Sequence, residues 1–354
     1  MARTNYLRRA WPHALVFCGI LATAESAAAQ PVEQFYRGRS INILVASVPG
    51  GINDLMARLI SRHLGKHIPG NPAIIVQNLT SSGLVLINRM FATAEKDGTV
   101  IAIVERGTPQ LAIQGDPNAR FDPLKLNWLG SVSSYANDAY VFWVNAGFPA
   151  RTVADLRAPG APVIRVGTTG AGATNAVFTQ ISKEVLGLST IQNVRGYRGA
   201  ADVFLAQQRG EVDAQVVGLS AIKVGQKALY QAGAFRGLIQ FARTTRSPEL
   251  PDAPTGRELT SDPKALALLA FAEAPFFMAL PLVAPPDLPV ERAKALQTAF
   301  MAMTKDAAFV DESGRMGQDL SPIDGEAVRR IIAQMGETPK DVIGRFNEIV
   351  GAKN

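Results

Sequence analysis

Cysteine is almost absent: Cys18 is the only one in 354 residues, and three histidines accompany it. Intramolecular disulfides are therefore impossible, and a cysteine-ligated metal or a thiolate nucleophile has nowhere else to sit. Charge of either sign is also scarce. Charged residues make up 19% of the chain, and 36 Lys+Arg against 30 Asp+Glu leave a formal +6. That small excess, with no nucleic-acid motif around Arg195, Arg198 or Arg209, excludes a nucleic-acid partner. Uninterrupted apolar runs of the ~18 residues needed to span a membrane are missing. What is present is 47% hydrophobic residues, enough to bury a core and to exclude disorder. The length fits two domains of ~100–200 residues or one large one. The 31 Gly and 22 Pro are scattered as turn punctuation.

The N-terminus carries a third of the charge imbalance, two of the six excess positive charges. Arg3, Arg8 and Arg9 precede the apolar stretch Ala14 to Ala24, and Ser26-Ala27-Ala28-Ala29 leads into Gln30-Pro31. This is the pattern of a secretory signal peptide cut after Ala29, and its apolar stretch of about 11 residues falls short of the ~20 of a membrane anchor. Cys18 follows Leu15-Val16-Phe17 rather than the small residues of a lipid-modification site, and it leaves with the signal. Arg8-Arg9 is a poor twin-arginine match because Trp11-Pro12 follows. Removing residues 1–29 takes away three Arg and one Glu, leaving 33 basic and 29 acidic side chains and a net +4. The expected location is the periplasm.

Downstream, β-rich and helical runs alternate. Ile41–Ala46 reads as a buried strand, followed by a Pro-Gly-Gly turn and a helix from about Asn53 to His67 with Leu55, Met56, Leu59, Ile60 and Leu64 at helical spacing. Strands are expected at Ala73–Val76 and Thr99–Val104, with a helix near Val85–Ala94 between them. A second series runs through strands at Tyr140–Val144, Val163–Gly167, Val212–Val217 and Arg236–Phe241, with helices near Asn175–Leu186 and Ala200–Arg209. Pro281, Pro285, Pro286 and Pro289 mark an extended passage into C-terminal helices whose apolar stripes are Ala293-Leu296-Phe300 and Val328-Ile331-Ile332-Met335. The expected fold is α/β with two lobes, each a doubly wound, mostly parallel sheet flanked by helices, with ligand bound at the carboxyl ends of the strands in the cleft between them. The boundaries read as 1–29 signal, 30–140 first lobe, 141–254 second lobe and 255–354 return to the first lobe. Hinges are expected near Tyr140–Asn145 and in Gln240–Ala284.

Chemistry is expected at the turns. Val48-Pro49-Gly50-Gly51-Ile52-Asn53-Asp54 joins a strand to a helix, where free N–H groups hold an anion without Lys or Arg. It lacks both the dinucleotide G-x-G-x-x-G and the Gly-Lys-Ser/Thr of a phosphate loop. Thr168-Thr169-Gly170-Ala171-Gly172-Ala173-Thr174-Asn175 repeats the device in the second lobe with added hydroxyls, and Thr80-Ser81-Ser82-Gly83 is a third such turn. Asp54 either caps its helix or accepts a hydrogen bond from ligand or from the opposite lobe, and the cap is favoured. His63 and His67 lie four apart, but Leu64 stands where a zinc protease needs Glu, so surface histidines are expected and no metal. No G-x-S-x-G is present, which counts against a secreted hydrolase.

At these turns the chain resembles the substrate-binding proteins of tripartite tricarboxylate transporters, the Bug family. The resemblance rests on an ordered set along residues 35–350: Phe35-Tyr36-Arg37-Gly38-Arg39, Val48-Pro49-Gly50-Gly51 with Asp54-Leu55-Met56-Ala57-Arg58, Asp97-Gly98-Thr99, Gly196-Tyr197-Arg198-Gly199, Arg209-Gly210-Glu211-Val212-Asp213 and Leu250-Pro251-Asp252-Ala253-Pro254-Thr255. It implies a non-catalytic, cofactor-free monomer that closes on a small di-, tri- or aromatic carboxylate and delivers it to membrane transporter subunits. It also implies that Gly50, Gly51, Ser81, Ser82, Thr168, Thr169, Gly170 and Thr174 hold the carboxylate. Pro49, Asn53, Asp54, Tyr197 and Ser220 complete the candidate ligand set.

Three departures from the family pattern stand out. Ile52 replaces a small residue, Thr80-Ser81-Ser82-Gly83 replaces Pro-Gly-Ala-Gly, and Val217-Gly218-Leu219-Ser220 offers no acid for a ligand amine. Together they lead us to expect an apolar or aromatic acid rather than an amino acid. A sensory protein docking on a receptor kinase fits the same sequence. A LysR-type regulator does not, because a signal peptide stands where its DNA-binding helices would be.

Overall fold

The computed structural model describes residues 1–2, 30–79, 82–170, 172–317 and 319–351. Two compact units are distinguished, Met1–Pro31 and Val32–Asn354. Residues 3–29, with Cys18 and nearly all of the expected signal segment, lie outside the described residues. Among those described, no helix is long and apolar enough to cross a membrane.

In the second unit, eleven strands form two sheets among the described residues. They are β1 (Ser40–Val45), β2 (Ala73–Asn78), β3 (Val100–Ile103), β4 (Asn127–Ser131), β5 (Tyr140–Asn145), β6 (Ile164–Gly167), β7 (Ile191–Val194), β8 (Ala214–Gly218), β9 (Phe235–Phe241), β10 (Pro281–Ala284) and β11 (Ile323–Asp324). One sheet runs β11-β4-β10-β3-β1-β2 and the other β7-β6-β8-β5-β9. Each has a parallel core of three strands, β3-β1-β2 and β7-β6-β8, in which Ser40 faces Ala73 and Ile164 faces Ile191. Antiparallel strands extend both cores, so the sheets are mixed.

The continuous apolar runs in the sequence become strands covered on both faces. In β1, Ile41, Ile43 and Val45 enter one core while Leu44 enters another. β3 splits the same way, Ile101 and Ile103 against Ala102. The core that takes Leu44, Ala102 and Trp128 from the first sheet also takes Tyr140, Phe142 and Val144 from the second. Each fully buried large side chain contributes about 1.5–3 kcal/mol. Ala293, Leu296 and Phe300 are buried, as the C-terminal stripe predicts. Phe300 lies so close to β4 that a side chain on Gly130 would meet its Cε1 at 2.3 Å and the Ile323 carbonyl at 2.5 Å.

The chain passes between the sheets at 132–139 and at 242–280. Tyr140–Asn145 is β5, seated between β8 and β9, so the first passage ends where the hinge was expected to begin. The two passages are laced together. Ala279 N–H donates to the Ser133 carbonyl (2.9 Å) and Leu280 N–H to Ser131 Oγ (3.0 Å). Arg243 Nη1 donates to the carbonyls of Ala136 and Asp138 (both 2.9 Å). β4, β7, β10 and β11 are absent from the sequence reading. Pro281 masked β10, yet as the strand's first residue it sits at a position proline tolerates.

Glu273, fully buried at the end of the helix Pro263–Glu273, fixes the second passage. It accepts from Ala242 N–H (3.1 Å), whose φ of +59° is unusual for alanine, and from Arg257 Nε (2.8 Å). Burial raises its carboxyl above the ordinary value despite the arginine. Glu273→Ala is expected to lower unfolding free energy by roughly 3 kcal/mol, because it strands a buried N–H and a half-buried guanidinium. Glu273→Gln should recover part of that loss, since its amide oxygen still accepts from Ala242. Urea denaturation of the three proteins checks both values.

Candidate functional site

Parallel strands need crossover connections, so the strand ends β1, β2, β3 and β6 each lead into a turn and then a helix. Their turns converge with the two passages on one cavity of about 1150 Å³. Three of the helices are long enough to present free first-turn N–H groups: Ile52–His63, Gly83–Ala92 and Thr174–Glu184. Ile52 and Asn53, Ser82 and Gly83, and Thr174 bring these starts to the cavity wall. The starts at Gly51 and Ala173 carry no side-chain cap, and Ser82 Oγ accepts from Val85 N–H at a long 3.4 Å. Amides so placed, from both sheets, favour an anion.

Of the candidate residues, Asn53, Ser82, Thr174 and Ser220 line the cavity. Pro49 and Gly50 form the exposed turn, with Gly50 at φ +85°, and Gly51 is the cap position behind Ile52. Asp54 lies beneath the turn and is 1% exposed. Its Oδ2 accepts from Gly50 N–H (2.8 Å) and Arg58 Nε (3.0 Å), and its Oδ1 from Asn78 Nδ2 (2.9 Å). Its role here is to tie the turn to its own helix and to β2. Thr168 is buried and donates to Asn193 Oδ1 (2.5 Å), while Thr169 donates to Asn175 Oδ1 (3.0 Å). Gly170 is exposed, and Tyr197 packs beside Val203 and Val212. None of these last four is among the cavity-lining residues. Ser81 lies outside the described residues.

Several cavity residues escaped the sequence reading. Arg106 is the third residue after β3, and its Cζ lies 3.9 Å from the centroid of the buried Phe276 ring. It is half-buried and has no hydrogen bond or ion pair among the described residues. Phe276 is braced edge-on by Tyr135 (5.0 Å) and Phe178 (5.8 Å). Burial beside the Asp138 charge pushes the Tyr135 phenol well above its usual value, which keeps it neutral. Asp138 comes from the first passage. It accepts from Ala139 N–H (2.8 Å), Ser220 N–H (3.0 Å) and Ser220 Oγ (2.5 Å), so an acid does stand beside the end of β8 although the strand itself supplies none. Asp319 accepts from Ser133 Oγ (2.6 Å), Ser321 Oγ (2.5 Å) and Asn137 Nδ2 (3.0 Å). One signal for Arg106 was available: it is the first basic residue past a parallel strand's carboxyl end.

The two histidines serve the scaffold. His63 is buried, meets Phe309 edge-on at 5.7 Å and bonds Glu312 (2.8 Å), and His67 bonds Asp306 (3.2 Å). The sequence placed them on the surface. Their actual setting comes from the helix Ala307–Arg315 folding over them.

A family model described as the tripartite tricarboxylate transporter family receptor matches residues 56–347. The chain belongs to the tripartite tricarboxylate transporter receptor family. A UPF0065 protein of Bordetella pertussis is 27% identical over 283 residues, 78% of this chain and 80% of that one. A TctC solute-binding protein from Polaromonas superposes with a TM-score of 0.68 at 19% identity, covering 88% of this chain and 99% of the other. An R. palustris protein solved with adipate superposes at 0.58 and 20% identity, covering 88% and 97%. The receptor family is one of periplasmic binding proteins rather than enzymes, and the two mixed sheets flanked by helices are the two-lobed architecture of these neighbours.

In this receptor the first-lobe turn depends on Asp54. The Arg58 hydrogen bond holds its carboxyl down at about 2. A depressed carboxylate stabilises the fold fully above its unfolded value of about 4, and the contribution is lost as pH falls toward 2. Asp54→Ala should cost roughly 2–3 kcal/mol at pH 7 by orphaning three donors. Urea midpoints of wild type and variant should converge as pH is lowered from 4 to 2.

Proposed function

We propose that this protein is exported to the periplasm, captures a small organic carboxylate by closing its two lobes, and hands it to the membrane subunits of a tripartite tricarboxylate-type transporter. The single observation that carries the reading is the convergence of uncapped helix starts from both sheets, with the Arg106 guanidinium, on one cavity. An anion held there touches both lobes at once, and a ligand with contacts to both favours the closed arrangement. The two passages at 132–139 and 242–280 are the hinges in this reading, and Tyr135, Asp138 and Phe276 place both of them in the cavity wall. The adipate seen on an R. palustris neighbour supports a carboxylate as the ligand class. The protein acts as a monomer without cofactor or metal. Its N-terminal segment directs export and is removed.

A thermal-shift screen of mono-, di- and tricarboxylates, aromatic acids included, tests this function. A true ligand at 100 times its dissociation constant adds about 2.7 kcal/mol of stability and raises the midpoint visibly. Absence of any response across the panel removes the capture reading.

A further inference from the structure

Charge around the cavity is lopsided. Arg106 is the one cation among the described lining residues, and four carboxylates, Glu105, Asp116, Asp138 and Asp319, line the same cavity. Asp138 and Asp319 each hold three internal donors, so their oxygens are already engaged rather than offered to a ligand amine. Arg106 is the opposite case. It rests on the face of Phe276, which orients it and strips water from one side of it, and no described acid neutralises it. A planar guanidinium in that state presents a fork matched to one carboxylate. The same wall carries exposed apolar surface: Ile52, 48% exposed, with Leu84 and Leu111 half-buried, all at or near helix starts.

From these observations we infer that the cavity is built for an acid bearing a single carboxylate on an apolar or aromatic body. The carboxylate pairs with Arg106, and the body lies against Ile52, Leu84 and Leu111. The inference rests on the carboxylate-capture reading and narrows its ligand class. A tricarboxylate would bring three negative charges to one cation in a cavity also lined by four acids. At ~4 Å even a water-like dielectric makes each unmatched like-charge contact unfavourable. An amino acid would find Asp116, Asp138 and Asp319 already engaged, which leaves its ammonium only the exposed Glu105.

The test is calorimetry on the purified protein with 3-phenylpropionate, hexanoate, adipate, citrate, phenylalanine and 3-phenylpropionamide, and with the Arg106→Gln and Arg106→Lys variants. The apolar monocarboxylates are expected to bind at least tenfold more tightly than citrate or phenylalanine, and the neutral amide is expected not to bind. Arg106→Gln should weaken the acids at least tenfold, with Arg106→Lys intermediate, because a point charge replaces the fork. Affinity of the wild type should fall as salt rises, a readout that does not depend on any variant folding. Tighter binding of citrate, adipate or phenylalanine, or an acid whose affinity ignores Arg106→Gln, overturns this inference and leaves carboxylate capture standing. Failure of every acid overturns both.

Discussion

The constraint on which the rest depends is parallel pairing. β1 cannot reach β2 or β3 by a hairpin, so each connection leaves the carboxyl end of a strand, turns, and returns through a helix. The helix starts, with their unpaired N–H groups, are thereby gathered on one edge of the sheet. The second sheet repeats the arrangement through β6 and the helix beginning at Thr174. Two such edges facing one cavity yield a field that attracts an anion before any charged side chain is added.

Opposing the edges requires the chain to cross between sheets, and the crossings are where this fold departs from two independent α/β units. Arg243, Ser131 and Ser133 bind the two passages to each other, and Glu273 holds the second through Ala242 and Arg257. A core that accepts Leu44 and Trp128 from one sheet and Phe142 from the other continues beneath them. The C-terminal helix Lys340–Val350 adds a third tie. It meets Phe271 edge-on with Phe346 at 5.1 Å, pairs Arg345 with Glu184 of the second lobe, and reaches the Gln114 carbonyl of the first through Asn347 (3.3 Å).

Much of this was legible in the sequence because it is local. The Pro-Gly-Gly turn, the period of the helix after it, and the Gly/Thr turn after Val166 are written in consecutive residues, and Asn53, Ser82 and Thr174 do line the cavity. What escaped is non-local or disguised. β10 begins with Pro281 and pairs with strands far away in the chain, so no short window contains the reason for it. An acid was sought at the end of β8, where Val217-Gly218-Leu219-Ser220 has none, and Asp138 arrives there from the first passage, because it and Ser220 meet only when the sheets are opposed. His63 was assigned to the surface because the helix that covers it lies some 250 positions away in the sequence.

Arg106 shows why the last class matters most. In sequence it is one of 36 basic residues, and its neighbours Glu105 and Gly107 suggest only a solvated loop. Its meaning comes from Phe276, which reaches it from the second passage. An arginine paired with a buried carboxylate would be neutralised and inert toward ligand. An arginine resting on an aromatic face is oriented without being neutralised, because the ring quadrupole attracts the cation yet leaves its N–H fork free at the edge. The scaffold thus keeps an unneutralised guanidinium on the loop after β3, set against the second passage through Phe276.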